Sequence, residues 1–174
     1  MTRLDENRAR AQISLKAGVN LDTITNVGIW GNHSATQYPN FEHIKIGGKP
    51  ALEVIPDRAW WEGTFLTTIQ QRGAEIIKAR GKSSAASAAS AALDTIRSLI
   101  TPTPAGDWFS VAKFAEGNTY GIDSDLIYSF PSTTDGKSAP KNVEGLQISE
   151  YSLGKMRATE KELQEEKDMI AALL

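Results

Sequence analysis

The sequence predicts a mixed α+β domain in which long helices pack on a mostly antiparallel sheet, and three observations carry that expectation. Helix-forming runs with recognisable start and stop residues open and close the chain. A long stretch without proline fills its middle. Short apolar runs bounded by glycine, asparagine and proline lie between them. No segment repeats and no composition shift marks a boundary, so the 174 residues, 40% of them hydrophobic, read as one domain around one core.

Thr2 followed three residues later by Asp5 reads as a capping-box start, and the run from Arg8 to Lys16 stops at Gly18, which predicts a first helix over residues 3–17. Asn26 to Gly31 predicts a short buried strand that delivers Asn32, His33 and Ser34 at its end. A strand pair is expected through Glu42 to Ile55, turning at Gly47-Gly48. From Asp57 to Leu99, Trp60, Phe65, Ile69, Ile76 and Ile77 recur at helical spacing; Gly73 and Gly81 interrupt them, predicting two successive helices or one bent helix. The small side chains of Ser83 to Ala92 suit close packing. Thr101 to Asp107 is turn chemistry that stops the helix. Strands follow over Trp108–Ala115, Asp125–Phe130 and Val143–Ile148, with a polar turn at Ser132–Asn142. From Ser149 onward, Leu153, Met156, Leu163, Ile170, Leu173 and Leu174 punctuate a charged run, predicting an exposed amphipathic helix in one or two pieces, with Thr159-x-x-Glu162 as a capping signature.

Lysine and arginine number 19 against 21 acidic residues, a net charge of −2 that provides no sequence-wide field for nucleic acid or an anionic membrane. Without cysteine there are no disulfides or thiolate metal sites, and neither His33 nor His43 stands at metal-ligand spacing, so no metal is expected. The N-terminal residues are charged and no apolar run is long enough to span a bilayer. A soluble, cytoplasmic protein is expected.

Asp5 and Arg8, three residues apart, project from one face of the first helix and can share a site. The spacing fits equally an intrahelical ion pair worth about 0.2–0.5 kcal/mol. His33, at the end of a buried strand and flanked by Gly31, Asn32 and Ser34, is placed where a loop side chain can face a cleft, and histidine carries protons near neutral pH. A hydrogen-bonded structural histidine fits the same position.

Leu4-Asp5-Glu6-Asn7-Arg8-Ala9, followed by Ile29-Trp30-Gly31-Asn32-His33-Ser34-Ala35-Thr36-Gln37-Tyr38-Pro39, resembles the catalytic signature of cytosolic-type malate dehydrogenases and their chloroplast relatives in the lactate/malate dehydrogenase superfamily. The likeness continues through Thr67 to Gly73, Ser83-Ser84-Ala85, Gly117 to Gly121 and Tyr128 to Pro131, and so covers the whole chain. Asn40 departs from the aspartate usual after Tyr-Pro, beyond the reacting groups.

The resemblance implies the C-terminal domain fold of that superfamily, with His33 accepting a proton when malate is oxidised and donating it when oxaloacetate is reduced. It implies that Asp5 orients the imidazole, that Arg8 grips a substrate carboxylate, and that Gly73 and Ser84 line the substrate pocket. It further implies a homodimer and a nicotinamide cofactor, NAD or NADP, bound mainly by a preceding dinucleotide-binding domain. No G-x-G-x-x-G occurs in this sequence, so residues 1–174 are expected to form the catalytic, substrate-binding domain alone and to be inactive without that other half. The alternative is a non-catalytic domain that binds dicarboxylates or serves oligomerisation.

Overall fold

The structure, a computed structural model, describes residues 1–173, so Leu174, expected on the last helix, lies outside the described residues. The first helix, α1 (Thr2–Ala17), ends at Gly18, whose left-handed backbone (φ 66°) lets its N–H close on the Ser14 carbonyl. Its start differs from the expected capping box. Met1 is the N-cap, no side chain caps the helix, and Thr2 is buried with its hydroxyl accepting from Ser129 Oγ at 3.0 Å. Asp5 is thereby free to turn elsewhere. Thr2, Asp5, Glu6, Ala9 and Ile13 make the buried face, an i, i+3/i+4 stripe in which two carboxylates occupy the N-terminal part of the helix, where its dipole favours negative charge.

All strand pairs among the described residues are antiparallel, in three small sheets, as the predicted fold class requires. β1 (Ile24–Thr25) pairs with β4 (Lys45–Ile46), which pairs with β5 (Lys49–Pro50). Gly47 and Gly48, both at positive φ, make the expected turn. The hairpin is shorter than residues 42–55: Pro50 has no N–H for the ladder, and the Ala51 N–H returns to the Ile44 carbonyl, opening the helical turn α2 (Ala51–Val54). The predicted strand over 26–31 is realised as β2 (Gly28–Trp30), fully buried. Its partner β3 (Tyr38–Asn40) was not expected, because Pro39 at its centre argues against a strand.

A short helical turn α3 (Arg58–Trp60) runs through a π turn (Trp61–Phe65) into α4 (Leu66–Arg80). The π turn brings Trp61 and Phe65 together in the core, ring centroids 4.9 Å apart, with Trp61 stacked on Phe41. Of the two predicted interruptions only Gly81 acts: at φ 72° it caps α4, and α5 (Ala85–Ile100) starts afresh. Gly73 lies inside α4. The small-residue run is not closely packed; of Ser83 to Ala92 only Ala91 is buried, and Leu93, Ile96 and Ile100 form an exposed apolar stripe farther along α5.

β6 (Phe109–Phe114) and β7 (Ile127–Thr133) pair over their length, and β8 (Lys141–Asn142) adds two residues. The third strand expected over Val143–Ile148 does not form. That segment's polar groups go instead to Pro131 and Tyr120: the Val143 N–H donates to the Pro131 carbonyl at 2.9 Å, and the Tyr120 hydroxyl donates to the Val143 carbonyl at 2.6 Å. The last helix, α6 (Glu150–Ile170), is one piece, capped by Ser149 accepting the Ser152 N–H. It is less exposed than expected. Ser152, Met156, Thr159 and Glu160 are buried, and Thr159 sits in mid-helix, so Thr159-x-x-Glu162 is not a cap.

Trp30, Tyr38, Phe41, Trp61, Phe65, Tyr128 and Phe130 are buried in one cluster with Ile13, Ile29 and Ile69, each large apolar side chain contributing about 1.5–3 kcal/mol by leaving water. This core fixes β2, and with it the direction in which the chain leaves at Gly31. Gly31 bridges to Ser129 by two backbone hydrogen bonds of 3.1 Å, at φ 87°, and a Cβ there would lie 2.7 Å from Thr159 Cβ and collide with the rest of that side chain. Gly31→Ala is therefore expected to lower stability by at least about 2 kcal/mol, from backbone strain and overpacking together. Urea unfolding checks this; a loss within about 0.5 kcal/mol would show that α6 does not press on the loop.

Candidate active site

Leaving Gly31, the chain turns past Asn32 and presents His33 towards α1. His33 Nδ1 stands 2.5 Å from Asp5 Oδ2, and the other carboxylate oxygen, Oδ1, accepts from Arg8 Nη1 at 3.1 Å. Asp5 is fully buried, whereas the His33 side chain is 38% exposed and that of Arg8 15%. One buried carboxylate thus joins two side chains that both reach solvent. An ionised carboxylate only accepts, so this contact puts a proton on Nδ1 and leaves Nε2 as the imidazole's other functional atom, an acceptor when the ring is neutral and a donor when it is charged. Among the described residues Arg8 Nε and Nη2 donate to no protein group, which leaves one planar edge of the guanidinium available to a ligand.

Arg8 and His33 line one cleft of about 400 Å³, whose far wall is built by α4 and the start of α5. Gly73 and Ser84 are both in that wall, so all five residues singled out in the sequence converge on one place. A Cβ on Gly73 would meet nothing within 4 Å, so packing does not require this glycine; its effect is to leave the cleft wall without a side chain. Ser84 stands at the N-cap of α5 yet makes no capping hydrogen bond. Ser84 thus sets the head of a 16-residue helix at the cleft, and the helix dipole favours an anion near that end.

The sequence assigned no site role to Gln37 and Gln70, which also line the cleft, or to Glu162, which holds the loop around His33. Gln70 Nε2 donates to the Gln37 carbonyl at 2.8 Å, tying α4 to the loop before β3, and the Gln37 carboxamide oxygen is buried without a partner. Glu162, on α6, accepts from Asn32, Ser34 and Thr36. Partial burial pushes its carboxyl up, but these three hydrogen bonds outweigh that and hold it below the ordinary glutamate value. A glutamate on a charged helix gives no sequence sign of such a role.

A larger cavity, about 650 Å³, opens on another face of α1 beside Arg3, Arg10 and Arg97. Its arginines are already matched, Arg3 and Arg10 to the buried Glu6, Arg10 also to Asp107, and Arg97 to Asp94. Burial raises the carboxyl of Glu6 while both arginines oppose that, and Glu6 further accepts the Ser110 N–H at 2.7 Å, so it serves to join α1 to β6. The smaller cleft holds the imidazole and a guanidinium with a free planar edge. No group of three or more His, Cys, Asp or Glu side chains is arranged to hold a metal among the described residues.

The family model described as lactate/malate dehydrogenase, alpha/beta C-terminal domain, matches residues 2–174. A malate dehydrogenase of Magnetococcus marinus is 54% identical over 174 residues, all of this chain and 53% of that protein. The crystal structure of malate dehydrogenase from Naegleria fowleri superposes with a TM-score of 0.92 at 44% identity, covering 100% of this chain and 52% of that one. Trichomonas vaginalis lactate dehydrogenase, in complex with NADH and oxamate, does so with a TM-score of 0.91 at 30% identity over 97% of this chain and 52% of its own. The chain therefore spans about half the length of the relatives it matches. On its sequence, its fold and the extent of the match, the chain belongs to the lactate/malate dehydrogenase family as its α/β C-terminal domain.

Proposed function

We propose that this domain supplies the acid–base and carboxylate-binding machinery of a malate dehydrogenase. The observation that carries the reading is the single buried carboxylate of Asp5, which holds His33 on one oxygen and Arg8 on the other at the edge of one cleft. In malate oxidation, the hydroxyl proton must leave as the carbon–hydrogen bond is broken. Neutral His33, held by Asp5 through Nδ1–H, takes that proton at Nε2, and Asp5 stabilises the imidazolium that results. In the reverse direction the same atom returns the proton to the keto oxygen of oxaloacetate. Arg8 receives a substrate carboxylate on its free edge, fixing both the position and the rotation of the reacting carbon. The N-terminus of α5 and Ser84 favour negative charge on the opposite wall.

A nicotinamide cofactor, NAD in this reading, accepts the hydride when bound. The residues described here suit the substrate side of that reaction; no glycine-rich strand-to-helix turn among them could cradle a pyrophosphate, so this chain would touch the cofactor only at the cleft rim. The reading extends to a dinucleotide-binding half as partner, to a cytoplasmic location, and to a homodimer that would cover the exposed Leu93, Ile96 and Ile100.

The chain alone is expected to give no detectable oxaloacetate-dependent oxidation of reduced NAD, and joining it to a dinucleotide-binding half is expected to create that activity. Sustained turnover by the chain alone, or none by the joined protein when both halves are folded, would overturn the reading. A non-catalytic, dicarboxylate-binding role would leave affinity for malate in the joined protein and no turnover.

A further inference from the structure

Among the described residues the loop that carries His33 has, beyond its bridge to Ser129, no ladder of its own, and side chains of α6 accept hydrogen bonds from it. Glu162 Oε2 accepts from three side chains that bracket His33, namely Asn32 Nδ2 at 3.2 Å, Ser34 Oγ and Thr36 Oγ1. Asn32 Nδ2 also donates to Glu166 Oε1 at 2.9 Å, and the Asn32 N–H donates to Thr159 Oγ1 at 2.9 Å. The carboxamide oxygen of Asn32 points the other way and accepts the His33 N–H at 2.8 Å. A continuous path thus runs from the Glu162 carboxylate, through both ends of one carboxamide, to the backbone of the histidine. Asparagine suits the middle of it because it must donate on one side and accept on the other. Aspartate there would set a third carboxylate against Glu162 and Glu166.

Among the described residues the imidazole itself has one protein partner, Asp5, and the side chain is 38% exposed. One hydrogen bond fixes a distance but leaves the ring free to swing. The remaining freedom is removed only if the backbone at residue 33 is held, and the side chains at 32, 34 and 36 that flank it each donate to α6. We propose that Glu162 is the positioning residue for His33, a carboxylate that gathers the side chains at 32, 34 and 36 and so keeps the imidazole in line with Asp5. The benefit to catalysis rests on the reading of His33 as proton carrier; the positioning does not.

The test is the NMR signal of the His33 Nδ1–H proton in the 174-residue chain, which a short bond to a carboxylate moves strongly downfield. In Glu162→Ala this signal is expected to broaden away or move upfield, and in Glu162→Gln, which keeps an acceptor, to return in part. The double substitution Ser34→Ala with Thr36→Val removes two donors without touching α6 and is expected to reproduce the loss; it carries the test alone if Glu162→Ala does not fold. Amide signals of α4 should stay in place throughout. An unchanged Nδ1–H signal in folded variants would overturn the proposal. In the protein joined to a dinucleotide-binding half, Glu162→Ala should lower kcat about 10- to 100-fold, with KM for oxaloacetate moved far less. A shifted Nδ1–H signal with unchanged kcat would leave the positioning standing and remove His33 from the chemistry.

Discussion

Replacing His33 with glutamine, in the chain joined to a dinucleotide-binding half, is expected to lower kcat for oxaloacetate reduction by about 10²- to 10⁴-fold, the usual contribution of a positioned proton carrier. Glutamine has a similar reach and still donates towards Asp5, so the buried carboxylate keeps a partner and the fold should hold. What it lacks is an atom that can both take and return a proton at neutral pH. KM should move much less than kcat, because the substrate is gripped elsewhere. Steady-state kinetics in both directions checks this. Comparable losses in malate oxidation and oxaloacetate reduction are expected, since one atom serves both, and near wild-type turnover in either direction would remove His33 from the mechanism.

Arg8→Lys is expected to show a different pattern, with KM for oxaloacetate rising and kcat falling together. Lysine preserves the charge beside Asp5 but replaces a planar pair of parallel donors with a single rotatable ammonium. Two charge-assisted hydrogen bonds of about 1.5–3 kcal/mol each correspond to about 10²- to 10⁴-fold in kcat/KM when both are lost in the transition state. Lysine keeps part of that interaction through its charge, so Arg8→Ala should be the more damaging change. An Arg8→Lys protein within about twofold of wild type in kcat/KM would show that the free guanidinium edge does not meet the substrate.

Local signals were legible where one residue's backbone chemistry decides the outcome. Gly18 and Gly81 stop helices because only a left-handed residue closes those turns, and Gly47-Gly48 makes a hairpin for the same reason. The signature residues Asp5, Arg8 and His33 could be brought together from the sequence because the motif carries their order; Gly73 and Ser84 fall in the same cleft. Failures came where a distant partner overrides a local pattern. Thr2 looks like a cap, yet the core claims it through Ser129; Thr159 and Glu162 look like a cap, yet the loop at Gly31 to Thr36 claims both. Val143 to Ile148 has strand composition but loses its backbone groups to Tyr120 and Pro131. β3 was hidden by Pro39, which is tolerated because β3 pairs on one side only. The contacts that claim Thr2, Thr159 and Glu162 span more than a hundred residues, and no window of local sequence contains them.

The most direct measurement is a crystal structure of the joined protein with NAD and hydroxymalonate, a hydroxy-dicarboxylate analogue of malate. The expected result is one carboxylate on two parallel N–H groups of Arg8 at about 2.7–2.9 Å, with the analogue's hydroxyl oxygen within hydrogen-bond reach of His33 Nε2. A ligand bound with Arg8 still engaged only by Asp5, or with its hydroxyl out of reach of the imidazole, would contradict the assignment of this cleft.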